Sequence, residues 1–117
     1  MAYNIRRQSS ILIVSLLITC VCSAQAQTAQ EMNWMEAGKD AVRQKLKDPQ
    51  SAQFQKVFFH RGKDNIPMTC GEVNSKNGFG GYTGFQRFVS AGREDATFVE
   101  AEVTSDFAMV WSRFCIE

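Results

Sequence analysis

Two cysteines, Cys70 and Cys115, constrain this chain more than any other feature, because the segment that holds them is too short to build a large core. The sequence contains 4 cysteines. Cys20 and Cys22, however, sit in an N-terminal segment laid out like a secretory signal peptide. Arg6 and Arg7 form its positive region, residues 11–18 (ILIVSLLI) its apolar run, and Ala24-Gln25-Ala26 its small-x-small box. Cleavage is expected after Ala26, which makes residues 1–26 the signal peptide and residues 27–117 one small domain. The apolar run is too short to span a bilayer comfortably, so no stable membrane insertion is expected after cleavage. An uncleaved N-terminal membrane anchor is the alternative. A lipoprotein is disfavoured, because Thr19 precedes Cys20 and Val21 precedes Cys22.

Cys70 and Cys115 then remain as an even pair in a periplasmic or secreted chain, and they read as one disulfide. Two buried free thiols are the alternative. A bridge would close a loop of about 45 residues, worth about 4 kcal/mol in the chain-entropy model. No metal site is expected, since two cysteines and the single His60 lack ligand-cluster spacing, and no cofactor is expected. Removing Arg6 and Arg7 from the 13 basic residues leaves 11 against 12 acidic ones, a net charge of −1. That balance argues against nucleic acid and against binding driven by an anionic membrane surface.

The pattern along the domain predicts an α+β fold. Thr28 and Glu31 have capping-box spacing, so a helix is expected to start near Ala29. Met35, Gly38, Val42 and Leu46 follow at helical spacing, with Trp34 beside them, and Asp48-Pro49 is expected to stop the helix. Gly38 on the apolar stripe suggests close approach of another backbone. Asp48-Pro49-Gln50-Ser51 fits a type I turn. Strands are expected over residues 54–60, 68–74, 82–89 and 97–103, with a glycine-rich hairpin loop over 75–81. The last strand alternates, with Val99, Ala101 and Val103 opposite Glu100 and Glu102. Phe107, Val110, Trp111 and Phe114 predict a short terminal helix capped by Ser105 or Asp106. Both helices are expected to cover one face of an antiparallel sheet of about four strands, leaving the other face to solvent.

Two motifs stand out, LKDPQSAQF at residues 46–54 and CGEVNSKNGFGGYTGFQRF at residues 70–88. Together with WSRFC at residues 111–115 they resemble a family of small exported proteins found in proteobacteria and their phages. Members of that family look like LKDPxSAxF followed by CGxVNxKNxFGGYxGxxxF, with a terminal cysteine after an aromatic-rich segment. The resemblance implies one compact exported domain that holds both motifs, and it implies no chemistry.

The second motif holds the candidate site. Its glycines, Gly71, Gly80, Gly81 and Gly84, suit turns, bulges or close backbone approach. Asn74 and Asn77 are turn formers. The loop lacks the order of a phosphate-binding P-loop and the strand–turn–helix context of a dinucleotide fingerprint. Glu72 shares the sheet face of Cys70 and is expected to turn inward and form a structural ion pair, with Arg87 on the paired strand or Lys76 as its cation. Asn74, Lys76, Asn77, Phe79 and Tyr82 are the candidate binding residues. They suggest a non-enzymatic domain that binds a protein or envelope component through the 74–82 hairpin. The alternatives are a small cell-envelope hydrolase using Glu72, or a phage-type exclusion or immunity factor. No catalytic pair is fixed by spacing, and His60 is expected to be solvated or locally bonded.

Overall fold

The computed structural model describes residues 22–103 and 105–116. Arg6, Arg7, the apolar run at 11–18 and Cys20 lie outside them. The fold is α+β: helix α1 (Cys22–Arg43), strands β1 (Gln53–Arg61), β2 (Pro67–Asn74), β3 (Gln86–Ser90) and β4 (Thr97–Val99), and helix α2 (Phe107–Cys115). The strands form one antiparallel sheet in the order β1-β2-β3-β4.

Helix α1 begins well before Ala29. Thr28 and Glu31 lie inside it and do not form an N-terminal box. The preceding Ser-Ala-Gln-Ala-Gln run contains strong helix formers, and the turn it makes supplies carbonyls to the amides a box would cap. The expected cleavage point after Ala26 falls within this helix. At the other end α1 stops at Arg43, short of Asp48-Pro49. The backbone tightens there, with the Lys45 N–H donating to the Val42 carbonyl at 2.9 Å and Leu46 to Arg43 at 3.1 Å. Pro49 opens a 3₁₀ turn, Pro49–Ser51, in which the Ser51 N–H donates to the Asp48 carbonyl at 3.1 Å. That bond fits the expected type I turn.

The helices lie on opposite faces of the sheet, which corrects the expectation that one face would stay wet. Val42 of α1 packs with Val73, Phe88 and Val99, backed by the half-buried Leu46, Phe54 and Val57. Phe107 and Cys115 of α2 pack with Met68, Cys70 and Val89 on the other side. Alternation along a strand requires this split, since neighbours such as Val73 and Cys70 differ in parity and point to opposite faces. Strand β2 is buried from Met68 through Gly71, and β3 from Phe88 through Ser90. Runs of that kind mark strands covered on both sides.

The two helices are held differently. Helix α1 approaches through Gly38, where a side-chain carbon would meet Thr69 Cβ and Oγ1 at 2.7 Å. The close neighbour is thus a threonine side chain, whose hydroxyl donates to the Trp34 carbonyl at 3.3 Å. Trp34 itself is 37% exposed, so it lies at the edge of this packing. Helix α2 buries only Phe107 and Cys115. One fully buried aromatic side chain contributes about 1.5–3 kcal/mol. The Cys70–Cys115 disulfide, with a sequence separation of 45 and a Cα–Cα distance of 6.0 Å, contributes about 4 kcal/mol in the chain-entropy model. Val110, Trp111 and Phe114 pack half-buried beside Phe107 and Cys115, so the covalent staple adds to this packing. Gly62 lets the helix end settle, because a side-chain carbon there would lie 2.8 Å from the Arg113 carbonyl oxygen.

Other boundaries also differ from expectation. Residues 82–85 precede β3 and do not join it, and the loop after β2 therefore runs over 75–85. Strand β4 ends at Val99, where the Glu102 N–H turns back to the Val99 carbonyl at 2.9 Å. Asp106 occupies the N-cap position of α2 but makes no side-chain cap bond. Its φ of 67° places it in the left-handed region. In β1 the register slips between Gln55 and Phe58, and Lys56 sits at φ 53°. This bulge brings the Val57 Cα to 3.0 Å from where a Gly71 side-chain carbon would lie.

Candidate functional site

The loop at 75–85 is built around two asparagines, a serine and two glycines. Asn77 Oδ1 accepts from the Phe79 N–H at 2.9 Å and the Gly81 N–H at 3.2 Å. The Asn77 N–H donates to the Gly81 carbonyl at 2.9 Å, and the Gly80 N–H donates to the Asn77 carbonyl at 3.1 Å. Closing so tight a turn requires a left-handed residue, and Gly80 supplies it at φ 84°. Asn74 Oδ1 accepts from the N–H of Gly84, itself at φ 100°, at 2.9 Å. Below the tip, Lys76 and Tyr82 form a β-bridge, and the Thr83 N–H donates to the Ser75 carbonyl at 3.3 Å.

Ser51 ties this loop to the first motif. Its hydroxyl donates to the Asp48 carbonyl at 2.8 Å and accepts from the Lys76 N–H at 2.8 Å. Its carbonyl accepts from the Tyr82 hydroxyl at 3.3 Å. The turn at Pro49–Ser51 is thus a buttress for the loop of the second motif. Sequence reasoning missed this role, because 25 residues separate Ser51 from Lys76. The only available signal was that both segments belong to one resemblance.

The five candidate binding residues divide accordingly. Asn74 and Asn77 hold the loop together. Lys76 is half-buried, and its ammonium lies 5.6 Å from the centroid of the Tyr82 ring, which is 46% exposed. Phe79 is 99% exposed. Its neighbours Gly78, Gly80 and Gly81 have open space where side chains would be. The tip is therefore a bare phenyl ring on a backbone fixed from below.

The expected Glu72–Arg87 ion pair does not form, although the two residues are cross-strand partners. Arg87 turns instead to Glu100. Its Nη2 donates to Oε1 at 3.0 Å, its Nε to Oε2 at 3.2 Å, and its backbone N–H to Oε2 at 3.0 Å. These bonds hold the Glu100 carboxyl below the usual carboxylate range, the guanidinium first and the backbone N–H second. The same pairing raises Arg87. The guanidinium also lies 5.2 Å from the Phe107 and Trp111 ring centroids. Glu72 accepts from Gln55 Nε2 at 2.8 Å and lies 3.8 Å from Lys56 Nζ. His60 is bonded across the fold, its Nδ1–H donating to the Phe114 carbonyl at 2.8 Å.

Two concave regions flank these elements. An open groove of about 980 Å³ lies between residues 60–62 and α2, with Met109, Val110, Phe114 and Ile116 in its wall. A smaller cleft of about 210 Å³ lies beneath the loop, lined by Lys45, Lys47, Lys76, Asn77 and Glu102 among others. No group of three metal-ligating side chains occurs among the described residues, and no helix there is long and apolar enough to cross a membrane. Comparison with family models, curated proteins and solved structures finds no match to this chain.

Proposed function

We propose that this is an exported, disulfide-stapled binding domain that docks on a protein or other envelope component through the tip of the 74–82 loop. Phe79 carries the reading. A phenyl ring left 99% exposed contributes nothing to the fold. The hydrogen bonds from Asn77 and Ser51 fix the backbone beneath it, so little conformational freedom is lost when the ring enters a pocket. Aromatic anchors of this kind dominate interface energetics. Lys76 and Tyr82 form the polar rim, while Asn74 and Asn77 act indirectly by shaping the loop. The Cys70–Cys115 disulfide supports an oxidising compartment. The resemblance to small exported proteobacterial and phage-associated proteins is consistent with the same reading.

The test compares wild type with Phe79→Ala in pull-downs from envelope extract. Loss of an anchor of about 2 kcal/mol weakens capture roughly 30-fold, with an unchanged melting temperature. Asn77→Ala, in contrast, removes acceptors the loop uses and costs about 1 kcal/mol of stability. Equal capture by wild type and Phe79→Ala removes the loop tip from consideration.

A further inference from the structure

We propose that the cleft beneath the 75–85 loop is a second binding site, built for one small, doubly charged phosphate-type anion. It holds about 210 Å³, less than the roughly 300–1,000 Å³ of sites for drug-sized ligands. That size suits a single charged group and not a polymer. The two sequence motifs meet here. Lys45, Leu46 and Lys47 follow α1, while Ser75, Lys76 and Asn77 open the loop. The Lys76 N–H donates to the Ser51 hydroxyl at 2.8 Å and ties the two segments together.

Unpaired positive charge selects the ligand. Basic side chains elsewhere hold a carboxylate close by, as Lys39 does Glu36 at 2.6 Å, Arg43 Asp40 at 2.6 Å and Arg87 Glu100 at 3.0 Å. Lys47 and Lys76 have no such partner among the described residues, and Lys45 meets Glu102 only at 3.8 Å. Asp95 is near enough to feel the charge of Lys45, but Arg93 holds it at 2.6 Å. Three ammonium groups therefore stand against one carboxylate in the lining, an excess of two positive charges. A phosphate monoester carries about −1.5 to −2 at pH 7 and matches that excess, whereas a carboxylate leaves half of it unanswered.

The uncharged lining groups are donors as well. Asn77 Oδ1 is occupied by the Phe79 and Gly81 N–H groups, and Gln86 Oε1 accepts from the Ala101 N–H at 2.7 Å. Each side-chain amide is thus oriented with its acceptor in use, which leaves its NH₂ to donate. Ser75 adds a hydroxyl on a residue only 6% exposed. A phosphate dianion has acceptor oxygens alone and answers this set, with little reordering on binding. The donors are side chains, so the site needs no P-loop order. Phe79 does not line the cleft, so this site is independent of the loop tip.

The experiment titrates the disulfide-intact, ¹⁵N-labelled protein at constant ionic strength and about pH 7.5, where phosphate is mostly doubly charged. The probes are inorganic phosphate, glycerol 3-phosphate and acetate. Each is taken to about 10 mM, where a Kd of about 1 mM leaves roughly nine-tenths of the protein bound. Either phosphate should shift the amides of Lys47, Ser75, Asn77 and Gln86, and acetate should shift them far less. Tighter binding of glycerol 3-phosphate assigns an organic phosphate as the source, and tighter binding of inorganic phosphate assigns the free anion; both sustain the site. Lys47→Gln combined with Lys76→Gln should weaken binding about tenfold or more, and Glu102→Gln should strengthen it. Phe79→Ala should leave it unchanged, which separates failure of this site from failure of the loop tip. The proposal is overturned if neither phosphate moves these resonances, if acetate moves them equally, or if the double variant, folded by its amide spectrum, binds as wild type does.

Discussion

The two faces of the sheet reach the same end by different means. On one, a helix of 22 residues lies across all four strands and is held by shape, with Gly38 against Thr69 and Val42 in an apolar cluster. On the other, a helix of 9 residues packs Phe107 and Cys115 onto the sheet and is fixed further by a covalent bond, with one glycine beneath its end. The difference shows what a small domain does when an element is too short to bury enough apolar surface. It fixes that element covalently.

The largest effect should come from removing the staple. Cys70→Ala with Cys115→Ala is expected to lower the unfolding free energy by about 4 kcal/mol in urea titrations. Hydrogen exchange should then accelerate in α2 while residues 38–42 of α1 stay protected. Equal acceleration in both helices would break the comparison, because it would mean that α1 also depends on the staple. Gly38→Val comes next. Overpacking against the fully buried Thr69 should cost about 2 kcal/mol, and Thr69→Ala should recover part of it. A fully stable Gly38→Val would show that α1 does not sit this close to β2.

The smallest effect is electrostatic. The Glu100 carboxyl is lowered by Arg87, so the pair stabilises the fold above the ordinary carboxylate pKa of about 4.5. That contribution is lost as pH falls through the lower folded-state pKa. With side chains 36% and 39% exposed, it should stay below about 1 kcal/mol and shrink in salt. The difference in stability between wild type and Glu100→Gln, measured from pH 7 to about pH 3, should narrow on the acid side. A gap that widens toward acid would reverse the assigned sign.

The local elements were largely legible in the sequence because their signals are local. Alternation and aromatic content marked β1, β2 and β4, the i, i+3, i+4 and i+7 spacing marked α2, and the even cysteine pair marked the staple. The placement of the helices on opposite faces was not legible. Met68-Thr69-Cys70-Gly71 is continuously buried in the fold, as in a strand covered on both sides, but Thr69 and Gly71 break the apolar run that would announce it. The end of β4 was hidden because Glu100 continues the alternation on paper, while its carboxylate actually turns to the backbone and guanidinium of Arg87. At the candidate site the asparagines were recognisable as turn formers, but Ser51 was not recognisable as a buttress. Nothing in a run of polar residues tells which of them will support a loop built from a later segment.

The bulge at Lys56 has a consequence for how copies of this molecule meet in a crowded solution. In the order β1-β2-β3-β4 the outer strands are β1 and β4, and each has a row of backbone groups that another chain could zip onto. Strand β4 is only 3 residues long and offers little template. Strand β1 has 9 residues and would be the dangerous edge, but the bulge interrupts its ladder midway and places a lysine there that is 74% exposed. A flat, regular β1 would invite fibre-like stacking. The kinked, positively charged one blocks it, so the irregularity in this strand guards against aggregation.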